Sequence, residues 1–284
     1  MSDLQYSPQK LGLDSAHTLA QGRQTLVAVI DSGIDRSHPE FAGAIAAVYN
    51  AARGRKFEVD DHGTAVAGII GARAQLKGVA PATRLLAVRA FFKEGNGGPR
   101  ATTYILLRAI DWAQKNNARL INLSFAGPHD EALKRIVNEA YQRGTILVAA
   151  AGNGGPNAPA AYPAAYPGVL AITATDQDDN IYRDANRGRY VAIAAPGVDI
   201  LVPVRDSGYD FKTGTSFAAA HVTGLIALML ERNPEISPDE VREILAGAAV
   251  DLGPRGPDKQ FGAGRADAFI AIQAVVNGRR ARRN

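Results

Sequence analysis

The chain contains no cysteine, which excludes disulfides, thiolate metal sites and a cysteine nucleophile, although it does not assign a compartment. It also lacks an uninterrupted apolar run of about 18 residues, the length a membrane-spanning helix needs. The most apolar stretch, 217–230, is broken by His221 and Thr223 and reads as a buried helix. The first ten residues, MSDLQYSPQK, carry no basic segment followed by an apolar one, so no signal peptide is visible. That leaves localisation open between an intracellular protein and the mature domain of a secreted one. Net charge is small, +4, and Arg279, Arg280, Arg282 and Arg283 supply part of it. No basic stripe with interleaved aromatics accompanies these arginines, so they read as a solvated end rather than a nucleic-acid or membrane-surface tail. Internal repeats and long low-complexity linkers are absent as well.

What is present is apolar residue, 46% of a 284-residue chain, enough for a large core near the upper size limit of one domain. Strand-like runs at 25–31 (TLVAVID), 85–90, 119–124 (RLINLS), 145–150 (TILVAA) and 169–173 alternate with helical patterns at 62–74, 102–117, 130–143 and 215–232. Continuous apolar strands separated by helices predict an α/β fold of three layers, with a mostly parallel central sheet and helices on both faces. Antiparallel segments are expected around 190–194 and 200–204, and a short helical appendage at the C-terminus. Gly144 is placed to follow a helix, and Ser237-Pro238-Asp239-Glu240 to start one, with a capping serine and an N1 proline. Pro/Gly-rich loops fall at 95–99 and 152–168.

Three segments carry candidate chemistry: AVIDSGIDRSHPEF with Asp31, DDHGTAVAGII with His62, and TGTSFAAAHVTG with Ser216. Asp31 closes a strand and is followed by Ser32-Gly33, which can turn sharply, so its carboxylate can orient an imidazole. His62 opens a helix whose small residues (Gly63, Ala65, Ala67, Gly68) allow close approach to the sheet. Ser216 stands at the start of the most apolar helix, where free N–H groups and a positive dipole gather. Each residue alone has an ordinary reading, as a turn acid, a core histidine or a capping serine. In the order Asp, His, Ser they match one of the known chain orders of the hydrolytic triad.

From about residue 6 to 276 the chain resembles the subtilisin-like serine peptidases (subtilases). Besides the three motifs, GVAPATRLLAVRA, INLSFAGP, VAAAGNGG, YPAAYPGVLAITATD and APGVDI follow in the family's order. The resemblance implies a subtilisin-like fold over 25–276, with an N-terminal extension at 1–24 and a basic tail at 277–284. It implies a serine endopeptidase working through an acyl-enzyme, with Asp31, His62 and Ser216 as triad and Asn153 as the side-chain donor to the oxyanion. An asparagine between glycines reads otherwise as a turn residue. Substrate would bind as an extended strand against Ser124, Phe125, Ala126 and the 97–101 segment. Ala149, Ala150, Ala151 and Gly152, with Ala160 and Ala161, would line the primary pocket. Alanines at 126 and 161, where subtilisins commonly have glycine, point to small or medium apolar residues before the scissile bond. A cis bond is expected at Tyr162-Pro163.

The chain also departs from the family. Ala65 and Ala220 stand where a second histidine and a proline are common, and Ile181-Tyr182-Arg183-Asp184 replaces a usual Phe-Ser pair. The loop that forms the family's strong calcium site is reduced to Arg73-Ala74-Gln75-Leu76-Lys77, with Glu40 at the acid position, a poor oxygen cage. No cofactor is therefore expected to be required and no metal ligands are assigned. Calcium stays an option through Asp176, Asp178, Asp179 and Asn180, a cluster that otherwise reads as a solvated loop. About 24 residues precede the first strand, too few for the family's inhibitory propeptide. The partner expected is a protein or peptide substrate, with no nucleic acid and no membrane span, for a monomer. Two other readings stand beside a general endopeptidase: a narrow processing protease of one precursor, and a catalytically silent peptide-binding domain.

Overall fold

The computed structural model describes residues 1–55, 60–93 and 98–281, and the side chains up to residue 278. Two short helices open the chain, α1 (Ser7–Lys10) and α2 (Leu13–His17), followed by β1 (Leu26–Asp31) and β2 (Ile45–Asn50). After α3 (Asp61–Gly71) come β3 (Arg84–Arg89), α4 (Thr103–Lys115), β4 (Leu120–Leu123), α5 (Glu131–Gln142), β5 (Ile146–Ala150), β6 (Val169–Thr175) and β7 (Val191–Pro196). A hairpin, β8 (Ile200–Val204) and β9 (Gly208–Lys212), leads to α6 (Thr215–Arg232), α7 (Pro238–Ala248) and α8 (Ala268–Ala281).

Strands β1 to β7 form one seven-stranded sheet in the order β2-β3-β1-β4-β5-β6-β7, and every pair in it is parallel. Side chains alternate across this sheet and feed two separate cores, as a strand period of two requires. Val27 and Val29 of β1 face the core that holds α3, α6 and α8. Ala28 and Ile30 face the core under α4 and α5. The result is the three-layer α/β arrangement expected from the apolar strand runs.

Two expectations fail in detail. Segment 190–194 is not antiparallel: it lies within β7, which pairs in parallel with β6, Thr173 opposite Ala194 and Thr175 opposite Pro196. Its apolar run (VAIAA) has no period-two alternation because both its faces are covered, which is the signature of a parallel strand. Strand β2 was not anticipated, although 44–49 (AIAAVY) is an apolar run; it forms the half-exposed edge of the sheet. The antiparallel pairing of 200–204, by contrast, is present between β8 and β9.

Local signals account for most helix ends. Ser237 and Glu240 form a reciprocal capping box with Pro238 at N1. Gly144 follows α5 at φ +82°. Asp60 caps α3 by accepting the His62 N–H at 2.9 Å. The Tyr162-Pro163 bond is cis.

Candidate active site

Topology concentrates the candidate residues. The strand order reverses around β1, so β1 and β4 begin a crevice at their carboxyl ends, where ligands bind in open α/β sheets. Asp31 is the last residue of β1 and Ser124 follows the last residue of β4. His62 enters on α3, whose first turn approaches β1 closely: a Cβ at Gly63 would lie 2.1 Å from the Gly33 carbonyl oxygen. Only glycine permits that contact, as the small residues of the motif suggest.

The Asp31 carboxylate is 4% exposed and faces the His62 ring, with Nδ1 at 2.8 Å from Oδ1 and 3.0 Å from Oδ2. A carboxylate can only accept, so Nδ1 carries the proton and the lone pair of neutral His62 lies on Nε2. The Ser32 N–H donates at 2.7 Å to Asp31 Oδ1, the oxygen that also lies nearer to Nδ1, and holds the carboxylate in place. Desolvation disfavours a charged imidazole here. The Asp31 charge and hydrogen bond, with Asp60 behind them, outweigh it and hold the His62 pKa above its usual value.

Ser216 is the second residue of α6, inside the helix rather than capping it, and Phe217 beside it packs on the His62 ring, centroids 5.7 Å apart. The Ser216 hydroxyl donates to the Ser124 carbonyl at 3.0 Å. A buried polar chain ties this helix start to β4: Asn122 Nδ2 donates to Ser124 Oγ at 2.8 Å, and Ser124 Oγ donates to the Ser216 carbonyl at 2.9 Å. The Thr223 hydroxyl stands 2.9 Å from Asn122 Oδ1. Asn122 and Thr223 escaped the sequence reading, although a polar residue inside the apolar run LINL was a visible signal for the first.

Asn153 lies in the exposed turn after β5, and its Oδ1 accepts from the Thr215 N–H at 3.0 Å and the Thr215 hydroxyl at 2.8 Å. With the oxygen engaged there, the side-chain NH2 has no part in that contact and lies by Gly214, 3.3 Å from where a Cβ on that residue would stand. The remaining sequence candidates surround this point. Ser124 is buried, Phe125 packs on Phe91 at 5.2 Å, and Ala126 is exposed. Gly127 and Tyr162 exchange backbone hydrogen bonds of 2.8 and 3.0 Å, which join segments 124–127 and 160–162. Gly152, at φ +110°, lies against Ala161: a Cβ added there would stand 3.0 Å from the Ala161 Cβ, and Ala151 beside it is buried. Of segment 97–101, residue 97 lies outside the described residues, and Arg100 bridges to Phe92.

The residues present do not fit a cation in the shortened loop. Loop 73–77 turns its amides inward: Glu40 Oε2 accepts the Arg73 and Ala74 N–H groups at 3.0 and 2.7 Å, and Oε1 those of Gln75 and Leu76 at 2.8 and 2.9 Å. The Lys77 N–H goes to Gln5 Oε1 at 2.8 Å and Tyr209 O–H to Glu40 Oε1 at 2.9 Å. Donors converge here on an anion, the reverse of a calcium cage. In the acidic cluster, Asp179 pairs with Lys10 and Arg265, while Asp176 Oδ1 accepts the Asp178 and Asn180 N–H groups. Among the described residues no group of three or more His, Asp or Glu side chains could hold a metal ion. Nor is any described helix long and apolar enough to cross a membrane.

Comparison with known proteins agrees with this architecture. The sequence model of the Subtilase family matches residues 22–264. The minor extracellular protease Epr of Bacillus subtilis (strain 168) is 37% identical over 249 residues, covering 86% of this chain and 38% of that protein. Thermitase of Thermoactinomyces vulgaris is 32% identical over 279 residues, covering 96% of this chain and 97% of thermitase. The crystal structure of fervidolysin from Fervidobacterium pennivorans, described as a keratinolytic enzyme related to subtilisin, aligns with a TM-score of 0.85 at 29% identity. That alignment covers 95% of this chain and 45% of the fervidolysin chain. A parallel sheet with helices on both faces and this sequence kinship define a subtilisin-like serine protease. The chain belongs to the subtilase family.

Proposed function

We propose that the chain is a serine endopeptidase in which Ser216 is the nucleophile, His62 the general base and acid, Asp31 its orienting carboxylate and Asn153 the side-chain oxyanion donor. The observation that carries this reading is the Asp31–His62 pair at 2.8 and 3.0 Å beside the N-terminus of the helix that bears Ser216. Substrate binds as an added strand along 124–126, its N–H groups taking carbonyls such as that of Ser124. This is the acceptor on which the Ser216 hydroxyl rests in the free enzyme. Displaced from it, the hydroxyl turns to His62 Nε2.

In the first step the Ser216 Oγ–carbon bond forms, the carbonyl π pair moves onto oxygen, and the hydroxyl proton passes to Nε2. The tetrahedral oxyanion accepts hydrogen bonds from Asn153 Nδ2 and the Ser216 N–H. Collapse breaks the C–N bond, and His62 returns the proton to the leaving amine. Water, deprotonated by the same imidazole, then releases the acyl group from Ser216 and restores its hydroxyl.

Alanine at 126 and 161, with no charged residue among Ser124, Phe125, Ala126, Ala151, Gly152 and Ala161, supports small or medium apolar residues before the scissile bond. The Glu40-filled loop supports a protease that needs no calcium at that position. Cleavage of a peptide library tests the reading. Hydrolysis should cluster after alanine-sized to leucine-sized residues and vanish in Ser216→Ala, with the melting temperature nearly unchanged. Cleavage after lysine or aspartate, or activity surviving in Ser216→Ala, would overturn it.

A further inference from the structure

The turn that carries Asn153 is held on its far side by a single buried side chain. Asn186 is 3% exposed and sits on the segment between β6 and β7, more than thirty residues from the turn in sequence. Its backbone N–H donates to the Gly152 carbonyl at 3.0 Å. Its Oδ1 accepts the Gly154 N–H at 2.7 Å, and its Nδ2 donates to the Pro159 carbonyl at 3.0 Å. One residue therefore grips the peptide groups on both sides of Asn153 and the far limb of the same loop.

Packing leaves the turn no room to slide. A Cβ at Gly152 would lie 2.7 Å from Asn186 Nδ2, so the backbone already rests against the amide. Behind it, the Tyr190 hydroxyl donates to the Ala151 carbonyl at 2.8 Å. On the opposite side the Thr215 hydroxyl accepts the Gly152 N–H at 3.2 Å. Asn153 itself is exposed and flanked by glycines: Thr215 orients its amide through Oδ1, while the backbone that carries it is held by the contacts on residues 152 and 154.

We propose that Asn186 is a positioning residue for the oxyanion donor: it sets the backbone at 152–154 so that Asn153 Nδ2 meets the developing charge. This rests on the reading of Asn153 given above. A donor of this kind acts only within about 2.7–3.1 Å of the oxyanion. A displacement of roughly 1 Å can cost about 10²-fold in rate. Both amide ends of Asn186 matter, because losing either frees one limb of the loop.

A double-mutant cycle on the whole chain, with a peptide p-nitroanilide that the wild-type enzyme cleaves, tests this. Asn186→Ala should lower kcat by about 10-fold or more while KM stays within about threefold, because the ground-state strand contacts along 124–126 are untouched. Asn153→Ala should lower kcat by about 10²–10³, a magnitude known from subtilisin itself. On the Asn153→Ala background, Asn186→Ala should then cost almost nothing further, since the donor it positions is gone. Asn186→Ser removes the same two amide contacts with a smaller polar side chain and serves if the alanine variant does not fold. Full multiplication of the two effects, or a change confined to KM or to melting temperature, would overturn the positioning role. If Asn153→Ala left kcat intact, the oxyanion reading itself would fall, and this proposal with it.

Discussion

At the scale of single residues, the Asp31–His62 contact makes a claim about pH. In the proposed mechanism His62 must be neutral to take the Ser216 proton, so activity should fall as pH drops through its pKa. Asp31 and Asp60 hold that pKa above the usual value of 6.5 despite desolvation. The acid limb of kcat/KM should therefore lie above pH 6.5. Asp31→Asn removes the nearer charge and leaves the desolvation, so the limb should move to lower pH while the maximum rate falls steeply. A limb that does not move would mean that Asp31 does not set the histidine's charge. His221 shows the opposite case: fully buried and 2.9 Å from the Phe217 carbonyl, its pKa is pushed down to about 4 by burial. It stays neutral at the pH values where the enzyme works, and the chemistry does not involve it.

At the scale of elements, one buried carboxylate organises loop 73–77. Glu40 is fully buried and accepts four consecutive amides. Glu40→Ala leaves those donors without partners, each orphan costing about 1–3 kcal/mol. For a domain of this size each kcal/mol lowers the melting temperature by roughly 2–4 °C, so a fall of about 10 °C or more is expected. A chelator should leave the wild-type melting temperature where it is. A large fall with the chelator and a small one with Glu40→Ala would reverse this assignment.

The same loop shows how far the sequence could be read. That the loop makes a poor oxygen cage was legible from its length and lack of Asn and Asp. That Glu40 had become its substitute was not, because thirty-three residues separate Glu40 from Arg73 and only the fold brings them together. Strands buried on both faces were legible as apolar runs; β2, half exposed at the sheet edge, carries such a run too (AIAAVY, 44–49) and was nevertheless not assigned. The orientation of β7 was misjudged because strand direction follows from sheet topology rather than from local pattern. At the site, Asp31, His62, Ser216 and Asn153 stood out through their motifs. Asn186, in the unmotivated stretch RDANRGRY, became visible only through its contacts.

At the scale of the whole molecule, the candidate site belongs to no single element. Asp31 ends β1, His62 starts α3, Asn153 follows β5 and Ser216 starts α6, and both cores must be packed for the four to meet. The chain's beginning joins this assembly: Leu11 and Leu13 are buried in the same core as Ile272 of α8, and the Ala268 N–H donates to the Leu11 carbonyl at 2.9 Å. The activation proposed for Ser216 therefore requires the complete fold, since an isolated hydroxyl has no reactivity of its own at neutral pH. The most direct test is labelling with a fluorophosphonate, with the modified residue located by peptide mass spectrometry. The account predicts one label, on Ser216, in the folded protein, lost in urea and strongly slowed in His62→Ala. A folded protein that takes no label, or takes it on another residue, would contradict it.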